Sequence, residues 1–299
     1  MSLARFAGQA TVANRIALPK VVRFAVPEAA GLVAFVVLFY GTFGDLAVQW
    51  WTNPDAGHGL LLAPAAIGLA VRRGVIAEAR PDFRLGVALL LVAVASRFVG
   101  TLAGELFTMR ASMLIALVGL VAAWFGGRQI VAWWLPLSIL ALAIPLPAVM
   151  TNSLAVPLQL VASKIGAGLL RWRQVPFRLE GNVIDIPGSR LFVAEACSGL
   201  RSLTALISLG VLIGGLYLRR GPTRVALLVL TIPVAVLLNG FRVFLTAFLI
   251  FFVDPEFGRG FMHLSEGWLI FVVALVIIGG IGTLLARLEQ HFARTATNG

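Results

Sequence analysis

The chain is poor in the groups that soluble enzymes draw on. It has one cysteine in 299 residues, Cys197, which excludes an internal disulfide. Its histidines are only three, His58, His263 and His291, too far apart for a local zinc-ligand pattern, so no metal and no cofactor is implied. Lysine is nearly absent: Lys20 and Lys164 are the only two among 24 basic residues. Charged residues make up 12% of the chain against 60% hydrophobic, a ratio that excludes a soluble domain and marks a multi-span membrane protein with lipid as its surroundings. The net charge of +11 invites a nucleic-acid reading. The arginines, however, fall in short gaps between apolar runs, as cytoplasmic loops do, and no nucleic-acid partner is expected.

What is present is a succession of apolar runs. Residues 1–25 carry Arg5, Arg15, Lys20 and Arg23 without a compact apolar core and cleavage site, and read as an uncleaved cytoplasmic lead. Spans are expected at 27–51, with Trp50 and Trp51 at an interface, and at 58–71, ending at Arg72 and Arg73. Others follow at 85–103, containing Arg97, and at 111–125, after an outer turn bracketed by Glu105 and Arg110. A fifth, at 130–149, is kinked or broken by Pro136, Pro145 and Pro147. In 151–173, Leu154, Leu158, Val161, Ile165 and Leu169 recur at helical spacing between polar interruptions. The expectation is an amphipathic helix lying on the outer surface; were it a span, every later element would change sides. Alternating Val175, Phe177 and Leu179, with turn signals at Gly181-Asn182 and Pro187-Gly188, predict a small outer β-hairpin. Three more spans are expected, at 196–218, 225–253 and 263–286. The fold class is all-α, a polytopic helical membrane protein of about eight spans with a hairpin before the sixth. Residues 26–286 read as one transmembrane domain and 287–299 as a cytoplasmic tail.

The octet Glu195-Ala-Cys-Ser-Gly-Leu-Arg-Ser202 stands where a polar segment meets the sixth span. In the first turn of a helix, unpaired backbone N–H groups and the helix dipole favour a thiolate at Cys197. Arg201 shares its helix face at i+4, while Glu195 opposes the thiolate. Taken alone, the cysteine reads more readily as an inert small hydrophobe, the usual state of a lone cysteine in an apolar helix.

Other residues change that balance. Arg242 lies about ten residues, or roughly 15 Å, short of the outer end of the seventh span. An arginine within a membrane span is functional by default, and Asn239 at i−3 shares its face. His263 opens the eighth span at the same outer face and reads either as a base or as an interfacial histidine, with Glu266 one turn later either to orient it or as a solvated helix-end residue. His58, in Ala-Gly-His-Gly-Leu, is an additional outer-face lining candidate. A cysteine, a histidine base and an oxyanion-holding arginine suffice for acyl transfer.

Glu-Ala-Cys-Ser-Gly-Leu-Arg-Ser at 195–202, Leu-Asn-Gly-Phe-Arg-Val at 238–243 and His263 at the head of the last span resemble the signature of the exosortase/archaeosortase family. The Gly-His-Gly-Leu stretch near residue 58 resembles it more weakly. The resemblance implies a membrane cysteine protease/transpeptidase with Cys197 as nucleophile, Arg242 as essential arginine and His263 as acid/base. It also implies a site on the outer face of a bacterial inner membrane. The implied partners are exported proteins with a C-terminal sorting tail (a short motif of the Pro-Glu-Pro kind, a transmembrane segment and basic residues), with water or an amine as acceptor. The alternative from another class is a transporter or lipid flippase in which Arg97, Arg201 and Arg242 line an anion path.

Overall fold

The computed structural model describes residues 26–53, 56–193, 199–254 and 260–298, so the expected lead at 1–25 lies outside the described residues. Among the described residues, ten helices and one small sheet follow in chain order: α1 (Val26–Thr52), α2 (Gly59–Arg73), α3 (Phe83–Ala103), α4 (Leu106–Phe125), α5 (Gly127–Ala132), α6 (Trp134–Ala143), α7 (Ala148–Trp172), β1 (Arg178–Glu180), β2 (Val183–Ile186), β3 (Ser189–Phe192), α8 (Gly199–Tyr217), α9 (Gly221–Phe252) and α10 (Gly260–Asn298). Six are long and apolar enough to cross a membrane: α1, α3, α4, α7, α9 and α10. Residues 134–143 and 203–217 form shorter apolar helices. Large apolar side chains such as Val37 (72% exposed) and Val149 (78%) point outward, as expected when hydrocarbon is the solvent. The protein is a multi-pass helical membrane protein.

The helices gather in two groups. In the first, α1 and α3 pack on α4. Phe39, Leu46, Ala93, Met113 and Ala116 form its core. In the second, α9 is central and is flanked by α7, α8 and α10. The short pair α2 and α6 lies between them, with Leu135 of α6 filling the space above Gly215 of α8.

One end of the bundle is basic. Arg73 at the end of α2 donates to the Ala132 carbonyl at 2.9 Å, and Trp133 Nε1 to the Gly74 carbonyl at 2.9 Å. Arg224 stacks over the Trp134 ring at 4.8 Å while its Nε and Nη2 donate to the Leu218 carbonyl at 3.0 and 2.8 Å. Glu289 of α10 closes this end. Its carboxylate accepts the backbone N–H groups of Arg219 and Arg220 at 3.0 and 2.9 Å and the hydroxyl of Thr223, satisfying donors at the start of α9. Glu289 is 8% exposed, and charge-assisted bonds of this kind contribute about 1.5–3 kcal/mol each. Glu289→Ala is therefore expected to lower stability by about 3 kcal/mol, on the scale of a lost charged cap. Thermal unfolding in detergent reads this as a clear drop in midpoint; an unchanged midpoint would show that water replaces the carboxylate without loss.

The opposite end carries the sheet. β1, β2 and β3 form an antiparallel meander, with Ile184 opposite Leu179 on one side and Leu191 on the other. Ile184, Ile186, Leu191 and Val193 turn inward onto Ala162 and Leu170 of α7 and Val243, Ala247 and Ile250 of α9. On the other face Asp185 accepts a hydrogen bond from Arg190 Nε at 2.6 Å, and the contact raises the arginine's pKa.

Several expectations are corrected. The sheet has three strands, not the two of a hairpin, because both turn signals are used: Gly181 and Gly188 take positive φ values of 62° and 83°. α4 starts at Leu106 rather than 111. Glu105 is its N-cap and accepts from the amides of Phe107 and Thr108; the side-chain and backbone hydrogen bonds of Thr108 hold its carboxyl below the usual range. Arg110 is thus inside the helix and 5% exposed. The fifth span is broken at Trp133, and Pro145 and Pro147 fall in the link after α6.

The helix at 151–173 stands upright beside α9 rather than lying flat. The two run parallel, with Leu158 beside Ala235 and Val236, Ile165 on Gly240, and Gly166 on Val243. A Cβ on Gly240 would meet Ile165 at 2.6 Å and one on Gly166 would meet Val243 at 2.7 Å, so the two glycines set this close approach. Because α6 has only ten residues, α7 takes over the fifth crossing instead of adding one. The later elements therefore keep the sides that the surface-helix reading gave them. Finally, residues 287–298 continue α10 as helix.

Candidate functional site

The site is built on α9, which presents two stripes at helical spacing. Val243, Ala247 and Ile250 face α7 and the sheet. Ala235, Leu238, Asn239 and Arg242, at i, i+3, i+4 and i+7, face the seam between α8 and α10. There they line a cleft of about 20 Å3, room for a single water, together with Leu206 of α8 and Ile270, Phe271 and Ala274 of α10. Asn239 is 7% exposed and Arg242 half-buried, and both Asn239 Oδ1 and Arg242 Nε are buried atoms. Among the described residues of the lining, Arg242 and Asn239 are the polar ones.

Packing fixes the direction of each helix. Gly210 and Gly214 of α8 lie against Thr231 and Leu227 of α9, and Leu206 lies against the Ala235–Arg242 stripe, so α8 and α9 are antiparallel. Gly282 of α10 lies on Ile213 of α8 and near Leu227, so α10 runs alongside α8 in the same direction. Both helices thus begin at the sheet end. From the cleft to Gly199 (residues 206 to 199), and from the cleft to His263 (residues 270 to 263), the helical rise is about 10 Å in each case.

The residues expected at the site fare differently. Arg242 and Asn239 share one cleft. Arg201 is the third residue of α8; His263 and Glu266 are the fourth and seventh of α10, and all three side chains lie outside the described residues. Cys197 and Glu195 lie outside them as well. His58 is the N-cap residue of α2, makes no capping bond through its side chain and does not line the cleft. Arg97 of α3 turns to α1, where its Nη1 donates to Thr42 Oγ1 at 2.9 Å and its guanidinium sits 4.9 Å from the Phe39 ring. Arg97 and Arg242 therefore belong to different helix groups and, among the described residues, line no common anion path. The apolar lining of Leu206, Leu238, Ile270 and Phe271 was not singled out from the sequence, since leucines and phenylalanines recur throughout every span. Only the spacing of 235, 238, 239 and 242 marks two of the lining residues in advance.

With this geometry in place, comparison with known proteins gives one match. The family model described as transmembrane exosortase matches residues 50–280, more than three-quarters of the chain and every element from the end of α1 into α10. No curated protein and no solved structure matches.

Proposed function

Because the chain belongs to the transmembrane exosortase family, we propose that it is a membrane cysteine transpeptidase that removes C-terminal sorting tails from exported proteins through a thioester on Cys197. The observation that carries this reading is the cleft. Arg242 and Asn239 face the seam of the two helices that begin at the sheet end, and one of those helices starts with His263 as its fourth residue. Position 197 is two residues before Gly199, and covalent reach keeps it within about 7 Å of the start of α8.

In this reading the Cys197 thiolate attacks the scissile carbonyl carbon. A C–S bond forms and the carbonyl π pair moves to oxygen, where Arg242 holds the anion. On collapse the C–N bond breaks, and the leaving amine takes a proton from the His263 imidazolium. Water or an amine acceptor, losing its proton to His263, then attacks the thioester and releases the thiolate. Glu266 and Arg201 support the histidine and the thiolate from the first turns of their helices. Basic loops at 72–73, 128 and 219–224 support a cytoplasmic placement of that end and, with it, the reading of a site at the periplasmic face of the inner membrane.

The test is a purified protein in proteoliposomes with a tail peptide taken from a secreted protein of the same genome. The expected results are cleavage at the motif and a hydroxylamine-sensitive acyl adduct on Cys197; tails of every motif class left intact, with no adduct, would end the reading. Topology gives an independent prediction. As the sole cysteine, Cys197 is expected to react with a membrane-impermeant maleimide in right-side-out spheroplasts. Labelling confined to inverted vesicles would place the sheet end in the cytoplasm.

A further inference from the structure

Asn239 is the most unusual buried polar group among the described residues of the second helix group. Buried Ser163, Ser208 and Thr231 each donate to a carbonyl one turn back in their own helix. Asn239 Oδ1 is an acceptor and has no such outlet. It is buried and accepts no hydrogen bond among the described residues. It also lies on the wall of two separate voids. One is the α8–α9–α10 cleft; the other lies towards α7 and is lined by Leu158, Leu203, Ala235 and Val236. Lipid tails offer no donor to satisfy such an oxygen, so a partner for it must bring an N–H or O–H into a groove whose other described lining, Arg242 apart, is apolar.

We propose that Asn239 is a substrate-docking residue whose Oδ1 accepts a backbone N–H from the tail side of the scissile peptide. This rests on the transpeptidase reading above. A peptide bond must be extended to be attacked, and the tail that follows it is a membrane-spanning segment. Unwinding the head of that segment frees backbone N–H groups in surroundings without water. The cleft has room for a water-sized group and not for side chains, so what enters beside Leu206, Leu238, Ile270 and Phe271 is one freed N–H, which the amide oxygen receives.

The position of Asn239 says which one. It lies one turn from Arg242, about 5–6 Å between Cβ atoms, on the side away from the sheet end. An extended chain rises about 3.3 Å per residue, so with the scissile carbonyl at Arg242 the contacted N–H belongs to the first or second residue beyond the cleavage point. These residues leave with the tail. Asn239 therefore acts in acylation and has no partner in deacylation, whereas Arg242 faces an oxyanion in both.

The experiment uses the full chain in proteoliposomes with tail peptides in which single amides are replaced by esters, which removes one N–H at a time. Asn239→Leu keeps the volume and is expected to raise KM for the tail peptide about tenfold. Hydrolysis of an acyl-enzyme formed from a tail-less thioester donor, and the pH profile of Cys197 alkylation, are expected to stay as in wild type. An ester at the first or second tail-side position is expected to cost wild type about tenfold and to cost Asn239→Leu nothing further. Asn239→Ala repeats the comparison should Asn239→Leu insert poorly. A parallel fall in deacylation, or a shifted alkylation profile, overturns the proposal and makes Asn239 a positioning residue for Arg242. Fully additive losses at every ester position overturn it in favour of a bound water. If wild type cleaves no tail peptide, the transpeptidase reading falls first and the docking role with it.

Discussion

Replacing Cys197 by alanine is expected to leave the protein inserted in the membrane and abolish cleavage of the tail. The nucleophile of an acyl-transfer site carries the covalent step, and its removal elsewhere costs on the order of a millionfold in turnover. No second cysteine exists to replace it. Cys197→Ser is expected to be equally inactive. A thiol at a helix start reaches a low enough pKa to be a thiolate near neutrality, and a serine hydroxyl does not. The loss is expected in the chemistry alone. The cleft is formed by Leu206, Leu238, Asn239, Arg242, Ile270 and Phe271, none of which adjoins residue 197 in sequence, so Cys197→Ala is expected to bind the tail peptide with wild-type affinity. The measurement is a single-turnover cleavage assay beside a binding assay on the same preparation. Normal processing by Cys197→Ala would end the cysteine mechanism and move the protein towards the transport reading. Loss of binding together with cleavage would mean that the alanine variant is misfolded.

Much of the fold was legible because a lipid solvent leaves a strong mark on sequence. The helices at 26–52, 83–103 and 221–252 fall within a few residues of the apolar runs that announced them. Where the reading went astray, a local signal outweighed a packing one. Lys164, Gln159 and Ser163 made 151–173 look amphipathic, yet Ser163 bonds the Gln159 carbonyl, and Gly166 docks on Val243. Glycine there signals close helix packing, not a weak helix. Arg110 looked like a loop residue because Glu105 precedes it, but that carboxylate is the cap that starts the helix. Glu289 was passed over as part of a tail, since its partners are backbone amides some seventy residues earlier and leave no trace in local spacing. The site was half legible. Chemistry picked out Arg242 and Asn239, and their shared face follows from i+3 spacing. The third dimension was not: Phe241 and Phe244 flank Arg242 in sequence, but Phe244 packs against the core shared by α7 and the sheet, its ring tilted 5.9 Å from that of Phe241, while Leu206 and Ile270 share the cleft with Arg242.

Arg242→Lys is expected to insert and fold yet lose most activity, about a hundredfold to a thousandfold, the loss seen when one oxyanion donor is removed. A charged group at the centre of a span costs on the order of 3 kcal/mol. Among the described residues the cleft around it is lined by Leu206, Leu238, Ile270 and Phe271, together with the amide of Asn239. In the proposed mechanism an anion that reaches the same cleft offsets part of that cost. Under that mechanism the anion is the Cys197 thiolate before acylation and the oxyanion in the tetrahedral intermediate. Lysine retains the charge but presents a compact ammonium rather than a planar fork that can hold two acceptors at fixed spacing. Arg242→Gln removes the charge as well and is expected to fall further. Both variants are expected to raise the Cys197 pKa, Arg242→Gln by removing the cation that favours the thiolate and Arg242→Lys by removing the planar fork that hydrogen-bonds it. Slower alkylation at neutral pH, recovering as pH rises, reads that shift directly. The thiolate of wild type is then present from lower pH upwards, and activity is expected to decline as pH falls through the thiol pKa. Acylation and deacylation both pass through an oxyanion, so both rates are expected to drop together, which separates Arg242 from the tail-side role of Asn239. Wild-type processing by Arg242→Gln, with an unaltered alkylation profile, would assign the guanidinium to a structural or transport role.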